Sequence, residues 1–329
     1  MAGSAHWQPK LSAALQARAE LISNHDAVRL VHDRADGFDG LVIERFGPVL
    51  IAQIFEERWA GSDDLAREIA TATMNAVGAI AVYRKRFPRE RSAALARLEA
   101  EHTDPQPWVG RPSPAIITIT ENGLPFEIHP FDGYSTGLFL EHRDTRLKVR
   151  AAANGARVLN AFSYTCGFSV FAAAGGAATV VSVDVSRKYL EWGRRNLALN
   201  NLALEGHRFL REDVMTYLAR AARRGDEYDL IVLDPPTFGR SKDRGRAFSI
   251  RSDLGRLLEL AASLLAPRGR VLLSSNHRGT SRRRLVEVAR QALGQRFLSA
   301  EPCPLPLDFA GDSEFSKHLF VETKPAQSK

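Results

Sequence analysis

Along the first third of the chain, apolar positions fall into short, separately punctuated runs. Residues 8–24 carry Leu11, Ala14, Leu15, Ala19, Leu21 and Ile22 at helical spacing and predict an opening helix. Residues 28–31, 41–44 and 49–55 are apolar runs between turn signals at 36–40 and 46–48, which predicts an antiparallel meander. A helix is expected over 62–74, where Ser62-Asp63-Asp64 places acids in the first turn, and a strand over 79–83. Together these predict a small α+β domain. From Pro88 to Pro114 the chain turns polar and proline-dotted and reads as a long linker, irregular at 102–107. Beyond it, residues 116–120 and 124–129 flank Asn122-Gly123, a tight-hairpin signal.

After residue 150 the pattern changes. The run ending Val158-Leu159-Asn160, residues 179–183 and residues 228–233 read as three apolar strands. They lead respectively into the loop Ala161 to Ser169, into Asp184, and into Asp234-Pro235-Pro236-Thr237-Phe238. Helices are expected near 186–201, 212–223, 249–266 and 280–294. Apolar strands alternating with helices predict an α/β fold with a parallel, doubly wound sheet and ligands at the carboxyl ends of its strands. The expected division is 1–110, the small domain with its linker, and 111–329, the hairpin with the doubly wound domain.

A length of 329 residues leaves room for both domains. The net charge of +7 favours an anionic partner, and clustering sharpens this. Arginine-rich segments stand at Arg84-Lys85-Arg86 with Arg89 and Arg91, at 240–246, and at Arg278 with Arg282-Arg283-Arg284. The last two follow predicted strands, where they would meet phosphates; the plainer alternative is solvated faces. No apolar run approaches the ~20 residues of a membrane span, and residues 1–7 lack a basic-then-apolar leader, so a cytoplasmic location is expected. Cys166 and Cys303 cannot make a disulfide framework, and without CxxC or HExxH spacing no metal is expected.

A nucleotide-like ligand at the strand ends needs a close backbone loop, an acid for ribose hydroxyls and a further acid for the base. Asn160 to Gly167, Asp184 and Asp213 fill those roles in order. The loop lacks the GxGxxG pattern, so a dinucleotide dehydrogenase fits poorly. Helix capping is the structural alternative for both acids. After the third strand, Pro235-Pro236 forces an extended path whose carbonyls can face outward, and Phe238 offers an aromatic face. Acceptors beside an aromatic suit a planar base aligned for methylation.

From about residue 130 onward the chain resembles class I S-adenosylmethionine-dependent rRNA methyltransferases. The resemblance is strongest to the K-type half of the bacterial bifunctional 23S rRNA methyltransferase K/L, with methyltransferase I more distant. It rests on six stretches in order: 135–143, 159–165, 183–192, Asp234-Pro235-Pro236-Thr237-Phe238 with Ser241-Lys242, 275–279, and Asp308-Phe309-Ala310. The meander around 40–47 also resembles the small domain that precedes the catalytic one in both families. Departures are the lack of a preceding PUA-like domain, the lack of a fused second methyltransferase half, and Cys166 where glycine is common.

The resemblance implies a mostly parallel seven-stranded Rossmann-like sheet, S-adenosyl-L-methionine as cofactor with S-adenosyl-L-homocysteine as product, and 23S rRNA or a large-subunit precursor as partner. It implies that Phe139, Leu140 and Arg143 close over the cofactor and that Phe162, Ser163 and Thr165 line its methionine part, with Asn160, Gly167, Ser186 and Asp234 beside it. Asp184 would take the ribose and Asp213 the adenine. Asp234, Pro235, Pro236 and Phe238 would form the catalytic edge, and Thr237, Arg240, Lys242, Asn276 and Arg278 would meet the substrate.

The residues also bear on which atom is methylated. Carbon-5 methylation of a pyrimidine needs a thiolate near the Pro-Pro loop or the next strand end, and residues 272–276 contain no cysteine. Guanine N7 has a free lone pair and no proton to lose, so alignment suffices, and N7-methylguanine is the product the K-type resemblance implies. The readings held against it are a cytosine-C5 methyltransferase of the I type, a small-molecule methyltransferase on the same scaffold, and a noncatalytic RNA-binding or assembly factor that kept the fold.

Overall fold

The computed structural model describes residues 6–88, 95–239 and 248–325. It divides into two compact units: the chain up to Leu140 together with Pro306–Asp312, and Glu141–Leu305 together with the residues from Ser313 onward.

In the first unit the expected opening helix is two helices, α1 (Gln8–Ala17) and α2 (Ala19–Asn24). The break falls at Arg18, whose buried guanidinium donates to the Ala14 carbonyl at 2.9 Å and pairs with Asp36 at 2.8 Å. β1 (Ala27–His32), β2 (Leu41–Phe46), β3 (Val49–Phe55), β4 (Ala81–Phe87) and β5 (Val109–Gly110) lie side by side in that order. β1 to β3 form the expected meander, whereas β4 runs parallel to β3 because α3 (Asp63–Ala76) provides the crossover. The core gathers Leu30, Leu41, Ile43 and Leu50 from the sheet with Ile69 and Ala66 from α3.

Part of the expected linker is the helix α4 (Leu95–His102). Its sequence signal is thin, because Leu98 is its buried apolar anchor and Glu101 ties it to β4 through Arg84 at 3.1 Å and Arg86 at 2.9 Å. Those two arginines of the first basic cluster are therefore held by carboxylates. Lys85 between them is 1% exposed, with its Nζ donating to the Gly133 carbonyl at 2.7 Å. β6 (Ile117–Glu121) and β7 (Leu124–Ile128) form the hairpin, with Asn122 and Gly123 at positive φ as its turn requires. The hairpin belongs to the first unit, so the compact division falls at 140 where the sequence boundary was placed at 110. One tie to the earlier strands is polar: the Thr120 N–H donates to Asp26 at 2.8 Å.

The second unit runs α5 (Arg143–Ala152), β8 (Arg157–Ala161), α6 (Gly167–Ala174), β9 (Thr179–Asp184), α7 (Arg187–Leu199), β10 (His207–Arg211), α8 (Val214–Arg224) and β11 (Tyr228–Leu233). A two-stranded ribbon follows, β12 (Phe238–Gly239) with β13 (Phe248–Ser249), then α9 (Ile250–Ser263), β14 (Leu265–Ser275), α10 (Arg282–Leu293), β15 (Phe297–Cys303) and β16 (Lys317–Thr323). Seven strands form one sheet in the order β10-β9-β8-β11-β14-β16-β15. β16 pairs antiparallel with both neighbours, and the remaining pairs are parallel. This is the expected mostly parallel, doubly wound sheet.

Alternate residues of the central strands serve opposite layers. Leu159, Val181, Ile231 and Leu273 pack with α8, α9 and α10, while Val158, Val180, Val232 and Leu272 pack on the face carrying α5 and α6. The strand order reverses between β8 and β11, and the helices that follow these two strands lie on opposite faces. This topology puts the expected ligand crevice beyond their carboxyl ends, between the loop after Ala161 and the loop after Leu233.

Candidate active site

The loop after β8 turns through three non-glycine residues at positive φ: Phe162 at 60°, Tyr164 at 48° and Cys166 at 63°. This alternation curls the loop back over the sheet. The Ser163 N–H donates to the Val183 carbonyl at 3.0 Å, the Tyr164 ring meets Tyr189 edge-on at 4.5 Å, and Asn196 donates to the Thr165 carbonyl at 3.1 Å. The left-handed backbone of Cys166, just before α6, explains why glycine suits that position. Its side chain fits because α7 carries Gly193 opposite, where a Cβ would stand 2.3 Å from the Cys166 sulfur.

Beneath the loop, Asn160 Nδ2 donates to Ser169 Oγ at 2.8 Å, and Ser169 Oγ lies 2.8 Å from Ser182 Oγ. Asn160 Oδ1 is buried and has no hydrogen-bond partner among the described residues, so this site has an acceptor to offer a donor group of a ligand. Asp184, ending β9, accepts from the Tyr164 N–H at 2.9 Å with one oxygen and from the Ser186 N–H at 2.8 Å with the other. Burial raises its carboxyl above the usual range despite those donors. Ser186, not Asp184, caps α7, with its Oγ accepting from the Tyr189 N–H. Asp213 does cap α8, accepting from the Thr216 N–H at 3.0 Å, so the helix-cap alternative describes this acid.

At the end of β11, Asp234 faces a side chain to which the sequence assigned no role. His142 Nε2 lies 3.1 Å from Asp234 Oδ2. The imidazole is buried against Phe168 and His318, with ring centroids at 5.1 and 4.8 Å. Burial disfavours its charge, but the carboxylates of Asp234 and Glu141 prevail and raise the imidazole above its usual value. Burial acts against Asp234 ionising, and the facing His142 more than offsets it, leaving that carboxyl below its usual value. His318, by contrast, is driven down to about 3 by burial and by its neighbour His142, and its Nδ1 contacts Ser274 Oγ at 3.0 Å. Pro235 is buried and Pro236 exposed, and the Thr237 hydroxyl donates to Asn276 Oδ1 at 2.8 Å, linking the loops after β11 and β14.

The structure thus brings Asn160, Phe162, Ser163, Thr165, Gly167, Asp184 and Ser186 together in one loop system, and Asp234 to Thr237 with Asn276 in another beside it. Phe162 rests on Phe248, with ring centroids at 5.4 Å. Arg143 is the buried first residue of α5, and Arg278 is exposed after β14. Phe139 and Leu140 are the last residues of the first unit's main segment, Phe139 exposed and Leu140 buried. Arg240, Lys242 and the side chain of Phe238 lie outside the described residues.

Both thiols are buried. Burial pushes Cys166 up to about 12. Cys303, also raised by burial, pairs with His318 on β16, which pairs with Ser274 on β14. It therefore sits three strands from β11, roughly 14 Å away at ordinary strand spacing. Among the described residues no group of acids, histidines and cysteines could hold a metal ion, and no helix is long and apolar enough to cross a membrane.

A family model described as S-adenosylmethionine-dependent methyltransferase matches residues 68–311. A ribosomal RNA large subunit methyltransferase of Deinococcus radiodurans is 33% identical over 97% of this chain and 79% of its own length. Ribosomal RNA large subunit methyltransferase K of Neisseria meningitidis is 46% identical over 49% of this chain and 46% of its own length. Methyltransferase I of Klebsiella pneumoniae is 36% identical over 73% of this chain and 59% of its own length. The chain thus spans about half the length of these K and I relatives. Among solved structures, SMU.776, crystallised with SAH, superposes with a TM-score of 0.81 at 25% identity, covering 95% of this chain and 80% of that one.

Proposed function

Because this chain belongs to the S-adenosylmethionine-dependent methyltransferase family, we propose that its methyl acceptor is 23S rRNA and that the methylated atom is guanine N7. The cofactor supplies a methyl group bound to an electron-poor sulfonium, ready for direct in-line displacement. The crevice between the β8 and β11 ends fits it. Asn160 Oδ1, buried and without a partner among the described residues, would accept from the cofactor's amino group, and the curled loop Phe162 to Thr165 would line its amino-acid end. Asp184 would accept from the ribose hydroxyls, its carboxylate already oriented by two backbone N–H groups. Asp213, a helix cap whose Oδ1 is engaged by Thr216, would stand beside the adenine.

On the acceptor side, the Asp234-Pro235-Pro236-Thr237 edge would hold the Watson–Crick side of an unstacked guanine with carboxylate and carbonyl acceptors, while N7 on the opposite side faces the methyl donor. Thr237 and Asn276, joined at 2.8 Å, would fix the lip of that pocket, with Arg278 toward the RNA backbone. The single observation that carries N7 over cytosine C5 is the absence of a usable thiol beside this edge. Cys166 is buried and held protonated, and Cys303 lies three strands away. N7 needs neither nucleophile nor base.

Incubation of 23S rRNA and of large-subunit precursor with the enzyme and methyl-labelled cofactor, followed by nucleoside mass analysis, tests this. Label is expected in 7-methylguanosine. Label confined to 5-methylcytidine would reverse the atom assignment, and label in neither RNA would remove the substrate.

A further inference from the structure

The pair at the end of β11 asks for an explanation, because His142 is buried and Asp234 half-buried, and charges taken out of water are costly to hold. His142 is fixed from every side. Its Nε2 lies 3.1 Å from Asp234 Oδ2, its carbonyl accepts from the Thr145 hydroxyl at 3.0 Å, and its ring sits between Phe168 of α6 and His318 of β16. The charged or titratable groups around it are Asp234 just after β11, Glu141 just before α5, Arg146 in α5, and His318, with Arg282 of α10 acting on His318 beyond. His318 is neutral and engaged with Ser274, so it does not take the proton from His142.

We propose that His142 is the positioning residue of the methyl-transfer edge: protonated, it holds the Asp234 carboxylate in one orientation and keeps it a hydrogen-bond acceptor that does not take up a proton. This rests on the function proposed above and deepens it. A carboxylate that stays charged and fixed can grip the N–H groups of a guanine while its ring nitrogen on the far side is methylated. The same carboxylate loose in the crevice could turn away from the base or carry a proton itself. Deprotonation of His142 as pH rises removes the charge that aligns Asp234, and transfer slows.

The test joins a titration that needs no RNA to a rate profile that does. In the full-length protein, the His142 ring proton signal, identified by its loss in His142→Gln, should titrate above an ordinary histidine and should titrate lower in Asp234→Asn. A midpoint unmoved by Asp234→Asn overturns the proposal. In methyl transfer, wild-type kcat should fall as pH rises through that midpoint. His142→Gln, whose amide donates from nearly the same place without titrating, should keep kcat within about tenfold and lose that fall. His142→Ala should lose about 100-fold in kcat, the scale of a misplaced group. S-adenosylhomocysteine affinity should stay within about twofold in both variants, which separates positioning from misfolding. A fall that survives in His142→Gln overturns the proposal. A wild type inactive on rRNA overturns the substrate assigned above, and the ring titration then decides His142 alone.

Discussion

Asp184 shows how one side chain serves two neighbours. Its two oxygens each accept a backbone N–H, from Tyr164 and from Ser186, so the carboxylate closes the loop after β8 while standing where the proposed cofactor site needs an acid. Asp184→Asn would leave one of those N–H groups facing an amide donor and would remove the charge that strengthens bonds to ribose hydroxyls. The expected loss is about 1.5–3 kcal/mol, or about 10- to 100-fold weaker S-adenosylhomocysteine binding by calorimetry. Unchanged affinity would take Asp184 out of the site. This residue was legible in the sequence because it ends an apolar run. His142 was not: it lies just before α5, while its partner Asp234 follows β11 far along the chain, and only the fold brings the two together.

Among the elements, the packing of α7 on the start of α6 depends on one missing side chain. Gly193 lies where a Cβ would approach the Cys166 sulfur to 2.3 Å and its Cβ to 2.7 Å, and Cys166 is pinned by its left-handed backbone. Gly193→Ala should therefore lower stability by about 1–3 kcal/mol from overpacking, partly offset by the better helix propensity of alanine. Denaturant unfolding would show it, and pairing the change with Cys166→Gly should restore stability. A neutral Gly193→Ala would mean that the loop relaxes freely. The strands were readable as apolar runs bounded by turn residues, since helices cover both faces of the sheet. α4 was not, because Glu101, Arg84 and Arg86 hold it by ion pairs rather than by an apolar stripe.

At the scale of the molecule, six short motifs in the right order pointed to the catalytic unit, while the boundary between units escaped the sequence because the hairpin looks self-contained. Thr120 and Asp26, far apart in the chain, join it to the first unit. The buried amine of Lys85 has a consequence for that unit as a whole. Burial drives it down to about 7, while in the unfolded chain it would titrate near 10.5. Between those values the unfolded state binds the extra proton, so unfolding becomes harder as the solution is made more alkaline, by up to about 1.4 kcal/mol per pH unit from this group. Thermal melts from pH 7 to 10 should show that rise for the wild type and a flatter profile for Lys85→Met. An equal rise in both would place the proton uptake elsewhere. A protein whose ammonium group is hidden beneath Gly133 should thus tolerate base better than its arginine-rich surface suggests.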